Sequence, residues 1–255
     1  MSLNIMLKNY RSSVIALFIQ ISTILFISLL VIFQSAIILS IFEWGVAQGL
    51  LAGFISYYLR MPIWWTPIHF VFIPLSIILL ILDISSLWFF SFFLCLLLIY
   101  GRTYKTQVPL YLSSKRVNIA LETLLPDQDQ FSFIDLGSGC GGLLKHLAKV
   151  YKNGMFHGIE SAPLPLLISK LRSIPYTSTC KIFWGDFWKH DLSRYDVVYA
   201  YLSPVPMKLL WHKANKEMRP GSLLISNTFI IPGITPYKSI QLDDFSNSTL
   251  YLWKM

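Results

Sequence analysis

Four long runs without a charged residue follow one another through the first hundred positions of the chain. They occupy residues 12–42, 44–59, 61–82 and 84–101 and consist mainly of Leu, Ile, Phe, Trp and Ser. A bilayer core of about 30 Å requires about 20 helical residues. The pattern therefore predicts an α-helical transmembrane domain of four spans, of which the second is the least secure because its run is short.

The second run also carries a regular spacing of small residues. Gly45, Gly49 and Gly53 lie four positions apart, which allows two helices to approach closely. We expect this face to pack within the chain's own helical bundle.

The basic residues of this part lie on one side of the predicted spans. Lys8 and Arg11 precede the first span, Arg60 follows the second, and Arg102 follows the fourth. Because Lys and Arg are retained on the cytoplasmic side, both ends of the domain are expected inside. The first run is longer than the apolar core of a signal peptide and precedes no small-residue cleavage site, so we expect a retained anchor.

The pattern changes near residue 105 to short apolar runs that alternate with amphipathic stretches. This alternation is typical of an α/β fold with a parallel sheet. We predict a transmembrane domain over residues 1–104 and a Rossmann-like sheet domain over 105–255. Strands are expected at 131–136, 155–160, 181–184, 196–201 and 222–227, helices at 115–125, 143–150, 163–172 and 205–218, and an antiparallel edge pair at 239–243 and 249–254.

Composition supports this division of the chain. The whole sequence is 55% hydrophobic and 13% charged, with a formal net charge of +8 and a mean hydropathy of +0.57. The first hundred residues contain only three of the 21 basic and two of the 13 acidic residues. The excess positive charge therefore belongs to the second part, where attraction to anionic lipid beside the anchor explains it more simply than nucleic acid.

A glycine-rich segment follows the first predicted strand of the second part. Gly137, Ser138, Gly139 and Gly141 let the backbone and the start of the next helix approach a nucleotide-like ligand, because a Cβ would block that approach. With Gly142, the spacing also fits the G-x-G-x-x-G pattern of dinucleotide sites. A dinucleotide, S-adenosyl-L-methionine and a turn without a ligand remain open on this segment.

Acidic residues stand at the ends of three successive predicted strands. Asp135 precedes the glycine segment, where it can reach the cationic amino-acid part of a ligand. Glu160 ends the second strand, where a carboxylate accepts hydrogen bonds from ribose hydroxyls. Asp186 follows the third strand and can accept from an adenine amino group, while Phe187 or Trp188 covers the base.

Other chemistries find little support in the sequence. Cys95, Cys140 and Cys180 are isolated from one another, and the histidines lack metal-ligand spacing, so we expect neither disulfides nor a metal site. The nucleophile elbow G-x-S-x-G of hydrolases does not occur.

The order of these motifs resembles class I S-adenosylmethionine-dependent methyltransferases. It is most similar to the membrane-anchored family that contains the lysine methyltransferases of the ATP synthase c subunit and of the ADP/ATP carrier, with bacterial relatives. Residues 108–254 carry the resemblance. The motifs are Val-Pro-Leu-Tyr-Leu-Ser-Ser (108–114), Phe-Ile-Asp-Leu-Gly-Ser-Gly-Cys-Gly (133–141), Gly-Ile-Glu (158–160), Gly-Asp-Phe-Trp (185–188), Asp-Leu-Ser-Arg-Tyr-Asp (191–196), Asp-Val-Val-Tyr-Ala-Tyr-Leu-Ser-Pro (196–204) and Arg-Pro-Gly-Ser (219–222).

The chain departs from this family at three positions. Cys140 stands where an acidic residue is common, Gly142 where an Arg is common, and Ser113 where a Pro is usual. These departures bear on the substrate more than on cofactor binding, because the backbone contacts of the glycine segment do not need those side chains.

The resemblance implies a membrane-anchored methyltransferase that uses S-adenosyl-L-methionine and modifies a lysine of a membrane or membrane-associated protein. We expect Tyr201, Ser203 and the backbone around Pro204 to orient the acceptor amine. The alternatives are methylation of a lipid or quinone-like molecule, and a non-catalytic membrane protein that keeps the fold as a cofactor-binding or docking module. We favour the bacterial inner membrane, with the sheet domain cytoplasmic, over the mitochondrial inner membrane.

Overall fold

The computed structural model describes residues 2–33, 39–125 and 130–255. These form two compact units, residues 1–90 and residues 91–255. The predicted domain boundary at residues 104 and 105 lies close to this division and stays a prediction.

The first unit is helical. Its helices are α1 (Ser2–Phe33), α2 (Ile41–Tyr58) and α3 (Trp65–Ile81), and α4 (Ser86–Tyr100) runs across the division between the units. Helix α2 begins at a capping box, in which the Ser40 hydroxyl accepts from the Glu43 N–H and the Glu43 carboxylate accepts from the Ser40 N–H. Such reciprocal bonds satisfy backbone donors that the first turn leaves free.

The prediction of four membrane spans is not supported. Among the described helices, only Ser12–Phe33, with 22 residues, is both long and apolar enough to cross a bilayer. Helices α3 and α4 have 17 and 15 residues and reach only about 25 and 22 Å at a rise of ~1.5 Å per residue. A run between charges overestimates helix length, because turns such as the one between α2 and α3 consume part of it.

The glycine face of α2 packs as predicted, against α3. A Cβ at Gly49 would meet the backbone oxygen of Phe70, and one at Gly45 would meet the side chain of Ile77. The absent side chains therefore allow the two helix backbones to approach closely.

The second unit contains a seven-stranded mixed sheet. Its strands are β1 (Ser132–Leu136), β2 (Met155–Glu160), β3 (Cys180–Trp184), β4 (Val197–Ala200), β5 (Leu223–Asn227), β6 (Lys238–Gln241) and β7 (Thr249–Lys254). Their spatial order is β3-β2-β1-β4-β5-β7-β6, with the first five strands parallel and β7 antiparallel between β5 and β6. The predicted α/β class and the antiparallel terminal pair are confirmed. Of that pair, β7 lies inside the sheet and β6 lies at an edge; β3 lies at the opposite edge.

Two helices precede the first strand of the sheet, α5 (Thr103–Thr106) and α6 (Lys115–Glu122). Successive parallel strands are connected by α7 (Gly142–Val150), α8 (Pro163–Ser173) and α9 (Met207–Glu217), with short 3₁₀ turns at Ile174–Tyr176 and Phe187–Lys189. Strand residues alternate between two apolar cores: Phe133 belongs to one with Leu144, and Ile134 to the other with Leu210. The sheet is therefore buried on both faces. Because β1, β2 and β4 are parallel, their carboxyl ends lie on one side of the sheet, next to the glycine segment.

Candidate active site

The glycine segment between β1 and α7 is a tight turn held by β2. Gly137, Gly139 and Gly141 have φ values of 78°, 54° and 69°, a region that residues with a Cβ rarely adopt. The N–H groups of Gly137 and Ser138 both donate to the Ile159 carbonyl at 2.9 Å. The turn therefore requires its glycines for backbone conformation as well as for ligand approach.

Glu160 fastens this turn to the end of β2. Its side chain is buried, and its Oε2 accepts a hydrogen bond from the Gly139 N–H at 2.8 Å. Its Oε1 accepts from the N–H groups of Ser161 and Ala162, each at 2.7 Å. A carboxylate has about four lone-pair sites, so Oε2 keeps capacity for a further donor such as a ribose hydroxyl.

Asp135 is a buried acid without a counter-charge. It is 5% exposed, and none of the described residues hydrogen-bonds or ion-pairs with its carboxylate. Burial, with a smaller contribution from the negative charge of Glu160, raises the pKa of Asp135 to about 8. A site that leaves a buried carboxyl group unpaired is suited to a cationic ligand, which would supply the missing partner.

Two cavities meet at the glycine segment. The first has a volume of about 220 Å³ and the second about 180 Å³, and both are lined by Tyr111, Gly137 and Tyr201. Glu160, Asp186 and Phe187 line the first cavity, with Trp188, Gly185 and part of the segment 99–111. Asp135, Ser138, Gly142 and Arg172 line the second.

The segment that precedes α6 covers the sheet edge. The ring of Tyr111 stacks on that of Tyr201, with centroids 4.9 Å apart and an interplanar angle of 18°. The Ser113 hydroxyl and the Tyr199 hydroxyl form a hydrogen bond of 2.8 Å, and the Asn227 amide donates to the same Tyr199 oxygen at 3.1 Å. Ser113, one of the three departures from the family pattern, thus makes a bond that proline cannot make.

Asp186 and Phe187 lie at the other end of the first cavity. The Asp186 Oδ1 accepts from the Trp188 N–H at 3.0 Å, which caps the 3₁₀ turn Phe187–Lys189. The rings of Phe187 and Trp188 pack with centroids 4.6 Å apart. This wall places a carboxylate beside aromatic surface, and its contact with an adenine base stays a prediction.

The structure brings most of the predicted site residues together. Asp135, Gly137, Ser138, Glu160, Asp186, Phe187 and Tyr201 all line one of the two cavities. Gly139 and Gly141 shape the turn behind the cavity surface. Ser203 is buried and Pro204 exposed, and neither lines either cavity, so their predicted role in orienting an amine rests on the sequence.

Sequence reasoning missed Arg172 and Tyr199 and gave no role to Tyr111. Arg172 lies on α8 with no motif around it, whereas Tyr199 lies inside β4 and belongs to the motif 196–204. Tyr111 falls in the Val-Pro-Leu-Tyr stretch of the resemblance, which was a usable signal.

The arrangement agrees with the comparisons to known proteins. Residues 135–238 match the family described as the ANTKMT methyltransferase domain. The chain is 29% identical over 142 residues to a protein-lysine N-methyltransferase of Saccharolobus islandicus, covering 54% of this chain and 88% of that protein. A solved RNA methyltransferase of Salinibacter ruber in complex with S-adenosyl-L-homocysteine has a TM-score of 0.52 at 23% identity, over 56% of this chain and 93% of that one.

These findings and the geometry agree on fold, cofactor and reaction class. The second unit has the Rossmann-like fold of class I methyltransferases. The cofactor is S-adenosyl-L-methionine, and the reaction catalysed is methyl transfer.

Proposed function

We propose that this chain, an S-adenosylmethionine-dependent methyltransferase, methylates a lysine side chain of a protein located at a membrane. The similarity to a protein-lysine N-methyltransferase over 142 residues is the observation that carries the choice of lysine. That match extends over 88% of the relative's length.

The residues of the two cavities fit the cofactor. Asp135 is buried without a positively charged partner, and the cofactor's amino group would supply one. Glu160, at the end of β2, retains a lone pair that can accept from a ribose hydroxyl. The wall of Asp186, Phe187 and Trp188 suits the adenine. When bound, the cofactor supplies a methyl group on a positively charged sulfur.

Methyl transfer requires a neutral amine in line with the methyl group. The amine nitrogen donates its lone pair to the methyl carbon as the carbon–sulfur bond breaks, and the bonding electrons remain on sulfur. A lysine ammonium, with a pKa of about 10.4, must first release a proton to solvent. Because much of the rate comes from alignment, the protein's main task is to hold the acceptor in place and to exclude water.

The stacked rings of Tyr111 and Tyr201 are suited to that task. They line both cavities beside Gly137, where the adenosine and amino-acid halves of the cofactor would meet. Their faces can pack against the alkyl stem of a lysine, and the Tyr201 hydroxyl can accept a hydrogen bond from the amine.

The membrane location rests on the first unit. Helix α1 contains the segment Ser12–Phe33, and this unit exposes large apolar side chains on all of its helices while it buries polar ones. We propose that the unit lies in lipid, with Ser12–Phe33 as the crossing segment. A tether of this kind raises the local concentration of membrane-bound acceptors.

The experiment that tests this function follows the fate of the methyl group. Membranes are incubated with the purified full-length chain and methyl-labelled S-adenosylmethionine, then separated into protein and organic extract. We expect label in protein and none above background with Glu160→Ala. Label in the organic extract alone would favour a lipid or quinone acceptor, and label in neither fraction would contradict both.

A further inference from the structure

An acid and a guanidinium, neither of them in an ion pair, line the same cavity. Asp135 and Arg172 both line the cavity of about 180 Å³ next to the glycine segment. Neither forms an ion pair with any of the residues that the structure describes. Asp135 and Arg172 do not form an ion pair with each other. Both side chains are therefore available to a ligand in this cavity.

Ser138 also lines this cavity, but its hydroxyl packs towards Gly158 and is closed to solvent. The groups that the cavity offers to a ligand are therefore the Asp135 acid on one side and the Arg172 guanidinium on another.

The position of Arg172 follows from the packing of α8 against the glycine segment. Gly141 lies so close to Ser169 of α8 that a Cβ at Gly141 would collide with the serine side chain. One turn further along, the Arg172 guanidinium reaches over the start of α7. Its Nη1 donates to the Cys140 carbonyl at 3.1 Å and lies 4.0 Å from the point where a Cβ of Gly142 would stand.

The guanidinium retains most of its hydrogen-bonding capacity in this position. It has five N–H donors in a planar fork that matches a carboxylate, and a single bond, to the Cys140 carbonyl, uses one of them. The contact with Cys140 fixes the group at the cavity rim and leaves the other donors for a ligand.

We infer that Arg172 binds the α-carboxylate of S-adenosyl-L-methionine, while Asp135 receives its α-ammonium. An amino-acid group carries both charges on one carbon, so it matches a cavity that has a cation on one wall and an acid on another. The inference depends on the cofactor and not on the acceptor proposed above, and a binding experiment without acceptor tests it separately.

The test compares ligands that carry different parts of the amino-acid group. Binding of S-adenosyl-L-homocysteine, of its decarboxylated analogue and of 5′-methylthioadenosine to the full-length chain is measured by calorimetry. Arg172→Ala is expected to weaken S-adenosyl-L-homocysteine about 10- to 100-fold and to leave the other two ligands unchanged. Arg172→Lys should retain part of the affinity, since it keeps the charge without the fork.

Two variants serve as references for this test. Lys170→Ala removes a neighbouring positive charge from the exposed surface of α8 and should change none of the three affinities. Asp135→Asn should weaken both ligands that carry the amino group and leave 5′-methylthioadenosine unchanged. Equal weakening of all three ligands by Arg172→Ala would show that Arg172 only supports the glycine segment, and no weakening of any would show that it has no part in binding; either result overturns the inference.

Discussion

The two units of this chain differ in the side chains that they expose. In the first unit Leu, Ile and Phe residues are exposed along every helix, while the buried positions include the polar residues Thr23, Gln48, Ser56 and His69. In the second unit the core is made of apolar strand residues such as Phe133 and Val198. Water favours the second arrangement and not the first, which supports the proposal that the first unit lies in lipid.

Particular buried polar groups also differ in what they contact. In the first unit the Gln48 amide donates to Gln20 Oε1 and to Thr23 Oγ1 of another helix, both at 2.8 Å, and the Gln20 amide and His69 Nδ1 lie 3.0 Å apart. In the second unit the Asp135 carboxyl group lines a cavity and has no partner among the described residues. Buried polar groups thus join helices in the first unit, whereas this acid is available to a ligand in the second.

The largest effect should come from Glu160. Glu160→Ala removes the acceptor of three backbone N–H groups and of the proposed ribose contact, so we expect the affinity for S-adenosyl-L-homocysteine to fall at least about 100-fold. Calorimetry measures it, with circular dichroism to confirm that the variant is folded. Gln48→Leu, which removes a buried polar group from the other unit, should bind the cofactor normally. A fall in affinity of less than threefold for Glu160→Ala would contradict the assignment of Glu160 to the cofactor site.

Glycine substitutions in α2 test the packing of the first unit. Gly49→Ala places a methyl group against the Phe70 carbonyl and should destabilise the unit by about 1–3 kcal/mol. At Gly53 a Cβ would lie 3.5 Å from the nearest atom, the Thr66 carbonyl oxygen, so Gly53→Ala is the matched control. Thermal unfolding in detergent reads out both variants, and equal melting temperatures would contradict the close α2–α3 contact.

Asp135 predicts a dependence of cofactor binding on pH. Because burial raises its pKa to about 8, the free protein holds the carboxyl group protonated at pH 7, whereas the proposed contact with an ammonium requires the carboxylate. Binding should therefore release up to about one proton at pH 7 and strengthen as pH rises toward 8. Calorimetry in buffers of different ionisation enthalpy measures the release. Proton release that persists unchanged in Asp135→Asn would assign it to another group.

The smallest effect is expected from the helix network. Gln48→Leu breaks two hydrogen bonds in the first unit, and such bonds between membrane helices contribute about 0.6–1.7 kcal/mol. A double-mutant cycle with Gln20→Leu, followed by unfolding in detergent, measures the coupling. Additive effects of the two substitutions would show that the network does not stabilise the helices jointly.

The sequence predicts the sheet domain better than the helical unit. Local signals mark β1 and the glycine segment, because a short apolar run followed directly by closely spaced glycines is typical of a strand that leads into a tight turn. The prediction of four spans is not supported. The length of a run between two charged residues does not reveal where a turn, such as the one around Pro62, ends a helix. The sequence does not identify Arg172, because its place at the second cavity results from the contact between α8 and Gly141. That contact joins residues that are distant in sequence.

The proposed function is methyl transfer by the sheet domain to a lysine of a protein located at a membrane. Acid hydrolysis of membrane protein labelled by the full-length chain with methyl-labelled S-adenosylmethionine, followed by amino-acid chromatography, tests it. We expect label that co-elutes with Nε-methylated lysine, found in the membrane fraction and missing with Glu160→Ala. Label in another amino acid, or methylated lysine confined to the water-soluble protein fraction, would contradict it.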